Sequence, residues 1–336
     1  MRVIITGGAG FIGSHTAVEL AVAGFEPVLI DDLRNSQERA IEGISRIIGR
    51  KPEVHLIDCG REDLLDEVFA AGPVHGVIHF AADKSVPESV ADPLKYYQNN
   101  IGSTAALMRV MASYGVKNLV FSSSCTVYGQ PDKSPVTELM PIGNVNSPYG
   151  YTKVVCERMV QDAVAADRDW RGVILRYFNP VGAHPSAHIG ELPIGVPMNL
   201  VPYITQTAAG ERKQLTVHGN DYATPDGSCI RDYIHVVDLA QAHVRALQWM
   251  IGRSAPLCEV FNLGTGKGNS VLEAVNIFKE ATGATLPYAI GPRRAGDIEA
   301  IWADTTKSRE VLGWIPRLSL RDALVDAWRW QRSLAK

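Results

Sequence analysis

The sequence carries little net charge and few cysteines, and each shortage removes a class of protein. Its 33 basic and 36 acidic side chains over 336 residues leave a net charge of −3, so nothing draws it generally to nucleic acid or to an anionic membrane. The five cysteines, Cys59, Cys125, Cys156, Cys229 and Cys258, are odd in number, widely spaced and free of any C-x-x-C pair. That pattern argues against a disulfide framework and a cysteine zinc site. Low-complexity tracts, charge blocks and solenoid periods are absent as well. An apolar run begins at Val3, directly after Met1 and Arg2, with no basic n-region of a secretory signal before it, so the expected location is the cytoplasm. Residues 192–210 are uncharged over about the length of a membrane span, yet Pro193, Pro197, Pro202, Asn199 and Gln206 interrupt them. They read as a buried or pocket-lining segment.

What is present is ordinary globular chemistry, 46% hydrophobic and 21% charged, in a chain long enough for about two domains at roughly 150 residues each. Strand-like runs at 3–6, 27–30, 54–57, 77–80, 118–121 and 173–176 alternate with helical patterns such as 14–23, 93–114 and 148–166. Right-handed crossovers between parallel strands need intervening helices, so this alternation predicts a doubly wound α/β fold covered on both faces. After about residue 180 the texture loosens into Pro- and Gly-rich loops with helices near 236–250, 270–281 and 320–333. The expected division is residues 1–180 and a smaller α/β unit, 181–336, some of whose later segments pack back on the first. Their shared crevice at the carboxyl ends of the strands is the default site.

The first strand runs into Thr6-Gly7-Gly8-Ala9-Gly10-Phe11-Ile12-Gly13 and then a helix. Gly7, Gly10 and Gly13 permit a sharp turn, close approach to a pyrophosphate and tight helix packing, with the helix N-terminus facing the anion. Asp31 ends the next strand, eighteen residues after Gly13, where a carboxylate accepts from an adenosine ribose and repels a 2′-phosphate, favouring NAD over NADP. Arg34 stands against that preference if it grips a phosphate, and is neutral if it is a solvated loop residue. Asp58, closing the third strand, suits either the adenine amino group or a helix cap. A second cluster, Gly264-Thr265-Gly266-Lys267-Gly268, lacks a following strand with an acidic end and reads as a turn.

Tyr149 and Lys153, four apart where Ser147-Pro148 starts a helix, share one helical face. A tyrosine with an ordinary pKa of about 10 is a poor base at neutral pH, but an adjacent ammonium and a cationic nicotinamide stabilise its phenolate. Tyr149 then becomes a general base. Ser124, ending the fifth strand, can hold the same substrate oxygen. His184 and His188 have metal-pair spacing, but Pro185 and the absence of a nearby carboxylate ligand argue against a metal site. Cys125 reads as a small packing residue.

These motifs, with Ser122-Ser123-Ser124-Cys125-Thr126-Val127-Tyr128-Gly129, Arg176-Tyr177-Phe178-Asn179-Pro180, Arg231-Asp232-Tyr233-Ile234-His235-Val236 and Arg294-Ala295-Gly296-Asp297, resemble the extended short-chain dehydrogenase/reductases over nearly the whole chain. Within them the chain is similar to the nucleotide-sugar 4-epimerases. The resemblance implies a Rossmann domain, NAD, a UDP-sugar substrate and a homodimer formed through helices around 93–114 and 148–166. It also implies inversion at C4 of a UDP-hexose by transient oxidation to a 4-keto sugar, rotation and re-reduction. Related 4,6-dehydratases place Asp-Glu after the strand-end hydroxyl; Cys125-Thr126 here supply no carboxyl group, which argues against dehydration.

The resemblance assigns cofactor contacts to Gly7, Gly10, Phe11, Ile12, Gly13, Asp31, Asn35, Ser36, Asp58, Lys84, Asn99, Tyr149, Lys153 and Tyr177. It assigns substrate contacts to Ser124, Tyr149, Asn179, Asn199, Leu200, Thr216, His218, Arg231, Arg294, Asp297 and Ile301. Arg231 and Arg294 carry the charge a diphosphate requires. His218 stands where a phenylalanine often lines the uracil pocket. Ile301 replaces the tyrosine of some relatives, which suggests room for a 2-N-acetyl group. Two other readings stay open, a 4-epimerase for another nucleotide sugar such as a UDP-pentose and a non-catalytic dinucleotide sensor.

Overall fold

The computed structural model describes residues 1–336 except Asn144, Asn146, Ala295 and Lys336. Strands β1 (Arg2–Thr6), β2 (Glu26–Ile30), β3 (Glu53–His55), β4 (Gly76–His79), β5 (Asn118–Ser124) and β6 (Arg171–Tyr177) are followed by β7 (Asn179–Val181), β8 (Leu215–His218), β9 (Ile230–Arg231) and β10 (Tyr233–His235). Then come β11 (Leu257–Leu263), β12 (Asn269–Ser270), β13 (Tyr288–Gly291) and β14 (Ala300–Ile301). Helices α1 (Phe11–Val22), α2 (Glu38–Ile48), α3 (Glu62–Ala70), α4 (Val86–Ala91), α5 (Pro93–Tyr96) and α6 (Gly102–Ser113) precede α7 (Pro148–Ala166). After it lie α8 (Leu200–Ala208), α9 (Val236–Ile251), α10 (Val271–Thr282), α11 (Thr306–Leu312) and α12 (Leu320–Leu334).

Seven strands form one parallel sheet in the order β11-β6-β5-β4-β1-β2-β3, the doubly wound fold expected. Because side chains alternate along a strand, Val3 and Ile5 enter one apolar layer with residues of α1 and α9. Ile4 enters the opposite layer with Leu65, Leu107 and Val160. Order along the chain reverses between β1 and β4, which sit side by side, and the crevice opens there at the strands' carboxyl ends. The second body is made of short pairs, β7 with β10, β8 with β13, and β12-β9-β14, around a core from α8, α10 and α12. Residues 236–263 return to the first body, α9 against α1 and β11 beside β6.

The helix expected at 93–114 is broken: α5 passes into a π-helical turn, Tyr97–Ile101, before α6. Such turns displace side chains from the α register, and this one brings Asn99 and Asn100 to Asp83. Helix α7 has the expected bounds, with the Ser147 hydroxyl accepting from the Gly150 N–H at 3.2 Å and Pro148 at the first turn. Residues 192–199 form a largely exposed loop that lines a cleft, the pocket-lining alternative of the sequence reading, and α8 starts at Leu200.

Candidate active site

The turn after β1 is shaped by close backbone contacts. A Cβ on Gly13 would lie 2.1 Å from the Gly7 carbonyl oxygen, and Gly7 itself has φ +69°, so both positions need glycine. Gly10 caps α1 without a side-chain bond, and no capping group competes for the first amides of the helix, including those of Phe11 and Ile12. An uncapped helix start beside a glycine turn is chemically matched to a dinucleotide pyrophosphate. The adjoining cleft is lined by Gly10, Phe11, Ser36, Lys84, Glu191 and Asn199, among others.

Asp31 is buried at the end of β2. One carboxylate oxygen accepts from the Ala9 N–H at 2.9 Å, the other from the Leu33 N–H at 3.0 Å and the Ser36 hydroxyl at 2.6 Å. Asp58 lies three residues beyond the end of β3, a shift from the strand-end position expected. Burial raises its pKa, but the Gly60 N–H and the Arg34 guanidinium together hold its carboxyl below the ordinary range. Arg34 is neither a solitary solvated side chain nor open to a phosphate: it bonds Asp32, Asp58 and Asn99. Asn35 and Asn99 each donate to Asp83 at 3.0 Å. Lys84 contacts Glu191 at 3.4 Å, and Asn199 donates to the same carboxylate oxygen at 2.5 Å.

At the ends of β5 and β6 the catalytic candidates converge. Tyr149 is 8% exposed and Lys153 4%. Lys153 Nζ donates to the Ser122 carbonyl at 2.9 Å and sits 5.1 Å from the centre of the Phe121 ring, a favourable cation–π placement. Burial brings its pKa down to about 8, with Cys156 and Glu157 acting in the opposite sense. Burial, then Tyr177, pushes the Tyr149 phenol above its ordinary value, against a hydrogen bond from Ser124. Ser122 donates to the Tyr177 hydroxyl at 3.0 Å. Beneath them a buried bidentate pair, Arg176 to Glu157 at 2.9 and 2.6 Å, accepts the Ser123 hydroxyl at 2.5 Å. This pair ties β5, α7 and β6 together, and losing one partner of such a pair typically costs about 3–5 kcal/mol.

The second body brings Arg231, Arg294 and Asp297 together. Arg294 bonds the Asp297 carboxylate at 2.7 Å, and Arg231 Nη2 lies 3.9 Å from the same oxygen. Ala295, between them in the motif, is outside the described residues. Ile301 pairs with Arg231 across β14 and β9 and is buried with Val127, Phe178 and Ala303. Partly buried Cys125 packs on that cluster, and burial lifts its thiol to about 12, consistent with a packing residue. Asn179 pairs with Tyr233 through β7 and β10, and Asn199 is the N-cap of α8. Thr216 and His218 occupy the exposed face of β8, where His218 is 3.3 Å from the Pro292 carbonyl oxygen.

Several residues that organise this site were not singled out by sequence. Asp232 is fully buried and accepts from the Thr265 N–H and hydroxyl at 2.7 and 2.6 Å, and from Gly266 and Ala303 N–H at 3.1 and 3.2 Å. A Cβ on Gly264 would meet the Asp232 carboxylate at 2.4 Å. The second glycine cluster is therefore a turn that cradles the protein's own carboxylate and fixes the strand carrying Arg231. Glu191 had a signal, as the last charge before the uncharged 192–210 stretch, and Asp83 stood beside Lys84. His184 and His188 lie in a bonded loop, and among the described residues no cluster of His, Cys, Asp or Glu is arranged to hold a metal ion.

Residues 3–264 match the model of the NAD dependent epimerase/dehydratase family. A UDP-glucose 4-epimerase from Yersinia pestis is 50% identical over 331 residues, 98% of this chain and 97% of its own. A solved UDP-glucose 4-epimerase from Stenotrophomonas maltophila, with bound NAD and formylated UDP-arabinopyranose, is 46% identical, with TM-score 0.97 over 100% of this chain and 99% of that one. The enzyme from Bifidobacterium longum in complex with NAD+ and UDP is 45% identical, with TM-score 0.95 over 99% and 98% of the two chains. Sequence, fold and strand-end residues agree, and the chain belongs to the NAD dependent epimerase/dehydratase family.

Proposed function

We propose that the protein is an NAD-dependent isomerase that inverts C4 of a UDP-hexose, interconverting UDP-glucose and UDP-galactose. The observation that carries this reading is the buried Ser124–Tyr149–Lys153 cluster beside an uncapped glycine turn, with neither Asp nor Glu at positions 125 and 126. When bound, NAD would supply the acceptor and donor of the C4 hydride. Tyr149 removes the proton of the 4-hydroxyl and gives it back, and Ser124 holds that oxygen. Lys153 keeps the phenolate accessible by its charge, which burial alone would oppose. The glycine turn with Phe11 and Ile12 holds the pyrophosphate, and Asp31, Asn35, Ser36, Asp58, Lys84, Asn99 and Tyr177 surround the rest of the dinucleotide.

Arg231 and Arg294 bind the substrate diphosphate, with Asp297 orienting both. Asn179, Asn199, Leu200, Thr216 and His218 line the nucleotide-sugar side. Residues 1–180 form the cofactor unit, completed by the returning 236–263 segment, and the remainder forms the sugar-nucleotide unit. Ile301, shorter than tyrosine, leaves room for a 2-N-acetyl group. We expect Ile301→Tyr to lower turnover of UDP-N-acetylglucosamine relative to UDP-glucose by about tenfold, the worth of a small steric change in a pocket. Unchanged selectivity would remove that part of the reading.

Exposed Val86, Val90, Leu94 and Tyr151 on α4, α5 and α7 form the homodimer face, and sedimentation as a monomer would contradict it. Among the described residues no helix is long and apolar enough to cross a membrane, and cytoplasmic location is part of the proposal. Chromatography of a panel of UDP-hexoses, UDP-N-acetylhexosamines and UDP-pentoses after incubation with the purified protein tests reaction and scope together. Conversion of none of them by NAD-loaded protein would overturn the enzyme reading.

A further inference from the structure

Arg34 is the residue whose sequence reading stayed divided, and its placement supports neither side of that division. It leaves the β2 end three residues after Asp31. Nη2 meets Asp58 of the loop after β3 at 2.6 Å and also Asp32, while Nη1 donates to Asn99 of the π-helical turn at 3.0 Å. One side chain thus joins three segments that follow β2, β3 and β4 at the carboxyl edge of the sheet, β2 and β3 adjacent and β4 beyond the intervening β1. Asn99 is in turn fixed by Asp83, which also accepts from Asn35. Arg34's side chain is 41% exposed and Asp58's also 41%, so the crossing is made at the rim and can open without disturbing the core. Exposed ion pairs of this kind are individually weak, which suits a closure that must yield when the cofactor enters or leaves.

We infer that Arg34 is a retaining strap across the adenosine end of the dinucleotide site. The inference rests on the proposed cofactor placement. The pyrophosphate lies at the β1 turn and the ribose at Asp31, so the adenine continues from β2 toward β3, the interval that Arg34 spans. Its guanidinium gives a planar cation to cover the base and neutralises Asp32 and Asp58 at the rim. Because Asp32, Asp58 and Asn99 already engage the guanidinium, it is not presented to a 2′-phosphate, and the strap is specific for holding NAD rather than for reading NADP.

The test is the exchange of bound NAD for isotopically labelled NAD in the holoenzyme, followed by mass spectrometry, for the wild type, Arg34→Ala, Arg34→Lys and Asp31→Ala. The strap predicts release about tenfold faster in Arg34→Ala, the equivalent of one or two charged contacts. Arg34→Lys should fall between, since an ammonium lacks the planar fork. Wild-type exchange in Arg34→Ala together with rapid exchange in Asp31→Ala would overturn the strap and leave the cofactor placement standing. Wild-type exchange in both would overturn the placement as well. NADP binding as tight as NAD in the wild type, lost selectively in Arg34→Ala, would make Arg34 a phosphate reader and also overturn the strap.

Discussion

At the strand ends of the first body, Tyr149 and Lys153 are nearly inaccessible, and their partners, Ser122, Ser124 and Tyr177, come from two adjacent strands of a seven-stranded sheet. At the arginine end of the second body, the Arg294 side chain is 49% exposed and sits in a loop, while Arg231 is carried by a two-residue strand. The first arrangement alters the chemistry of its groups. Burial opposes both the ammonium and the phenolate, so each becomes responsive to the other and to the charge of a bound cofactor. The second arrangement is suited to attraction, since a guanidinium offers a fork of donors to a diphosphate. Rate should therefore depend on the buried cluster, and binding on the arginines.

The largest effect should come from Tyr149→Phe, which removes the hydroxyl proposed to carry the proton while keeping the ring. Steady-state assay should give a kcat lower by about 10²–10⁴-fold, with UDP binding by calorimetry unchanged. Lys153→Met should lose activity too, yet resist urea better than the wild type at pH 7 by about 1 kcal/mol, because a buried ammonium is costly. The sign follows from its folded pKa of about 8 against an ordinary 10.5. Between those values the unfolded chain binds the extra proton, so wild-type stability gains from this group as pH rises through that window. Lys153→Met should show no such gain, and a variant that tracks the wild type across it would contradict the assignment.

Acid should next separate the two bodies. His15, His79 and His243 are buried in α1, β4 and α9, and burial lowers them to about 3, 3 and 4 respectively, Lys153 adding to the effect at His79. Each stays neutral in the folded protein while the unfolded chain takes up protons below about pH 6.5. Stability is thus lost as pH falls below that value, by up to about 1.4 kcal/mol per pH unit for each histidine. Amide exchange at pH 5 should accelerate first in α1, β4 and α9, and preferential opening of α10 and α12 would reverse the comparison.

Within the second body a smaller contrast is expected. Arg231→Ala, removing a side chain 16% exposed, should raise KM for the UDP-sugar by the equivalent of about 2 kcal/mol. Arg294→Ala should cost about 1 kcal/mol or less, since its charge is screened by water. Equal losses would show that exposure does not rank the two arginines.

The same contrast explains what was legible in the sequence. Parallel buried strands are continuous apolar runs, and a turn that admits only glycine at Gly7 and Gly13 leaves a mark at fixed spacing, so the first body and the residues of the buried Ser124–Tyr149–Lys153 cluster could be picked out directly. The short strand pairs of the second body have no period long enough to detect. Asp232 was hidden because its role depends on Thr265, Gly266 and Ala303, whose amides converge only in three dimensions. Arg34 stayed ambiguous for the same reason: Asp58 and Asn99, 24 and 65 residues away, decide where its charge goes. The π turn that aims Asn99 breaks no helical pattern in the sequence, so residues 93–114 read as one helix.

The most direct test of the central claim, C4 inversion by hydride removal and return within one site, uses UDP-galactose deuterated at C4 and the purified holoenzyme without added dinucleotide. The account predicts UDP-glucose that retains the deuterium at C4 when the reaction is run in ordinary water. Product whose C4 deuterium has been exchanged for solvent hydrogen, or no product at all, would contradict it.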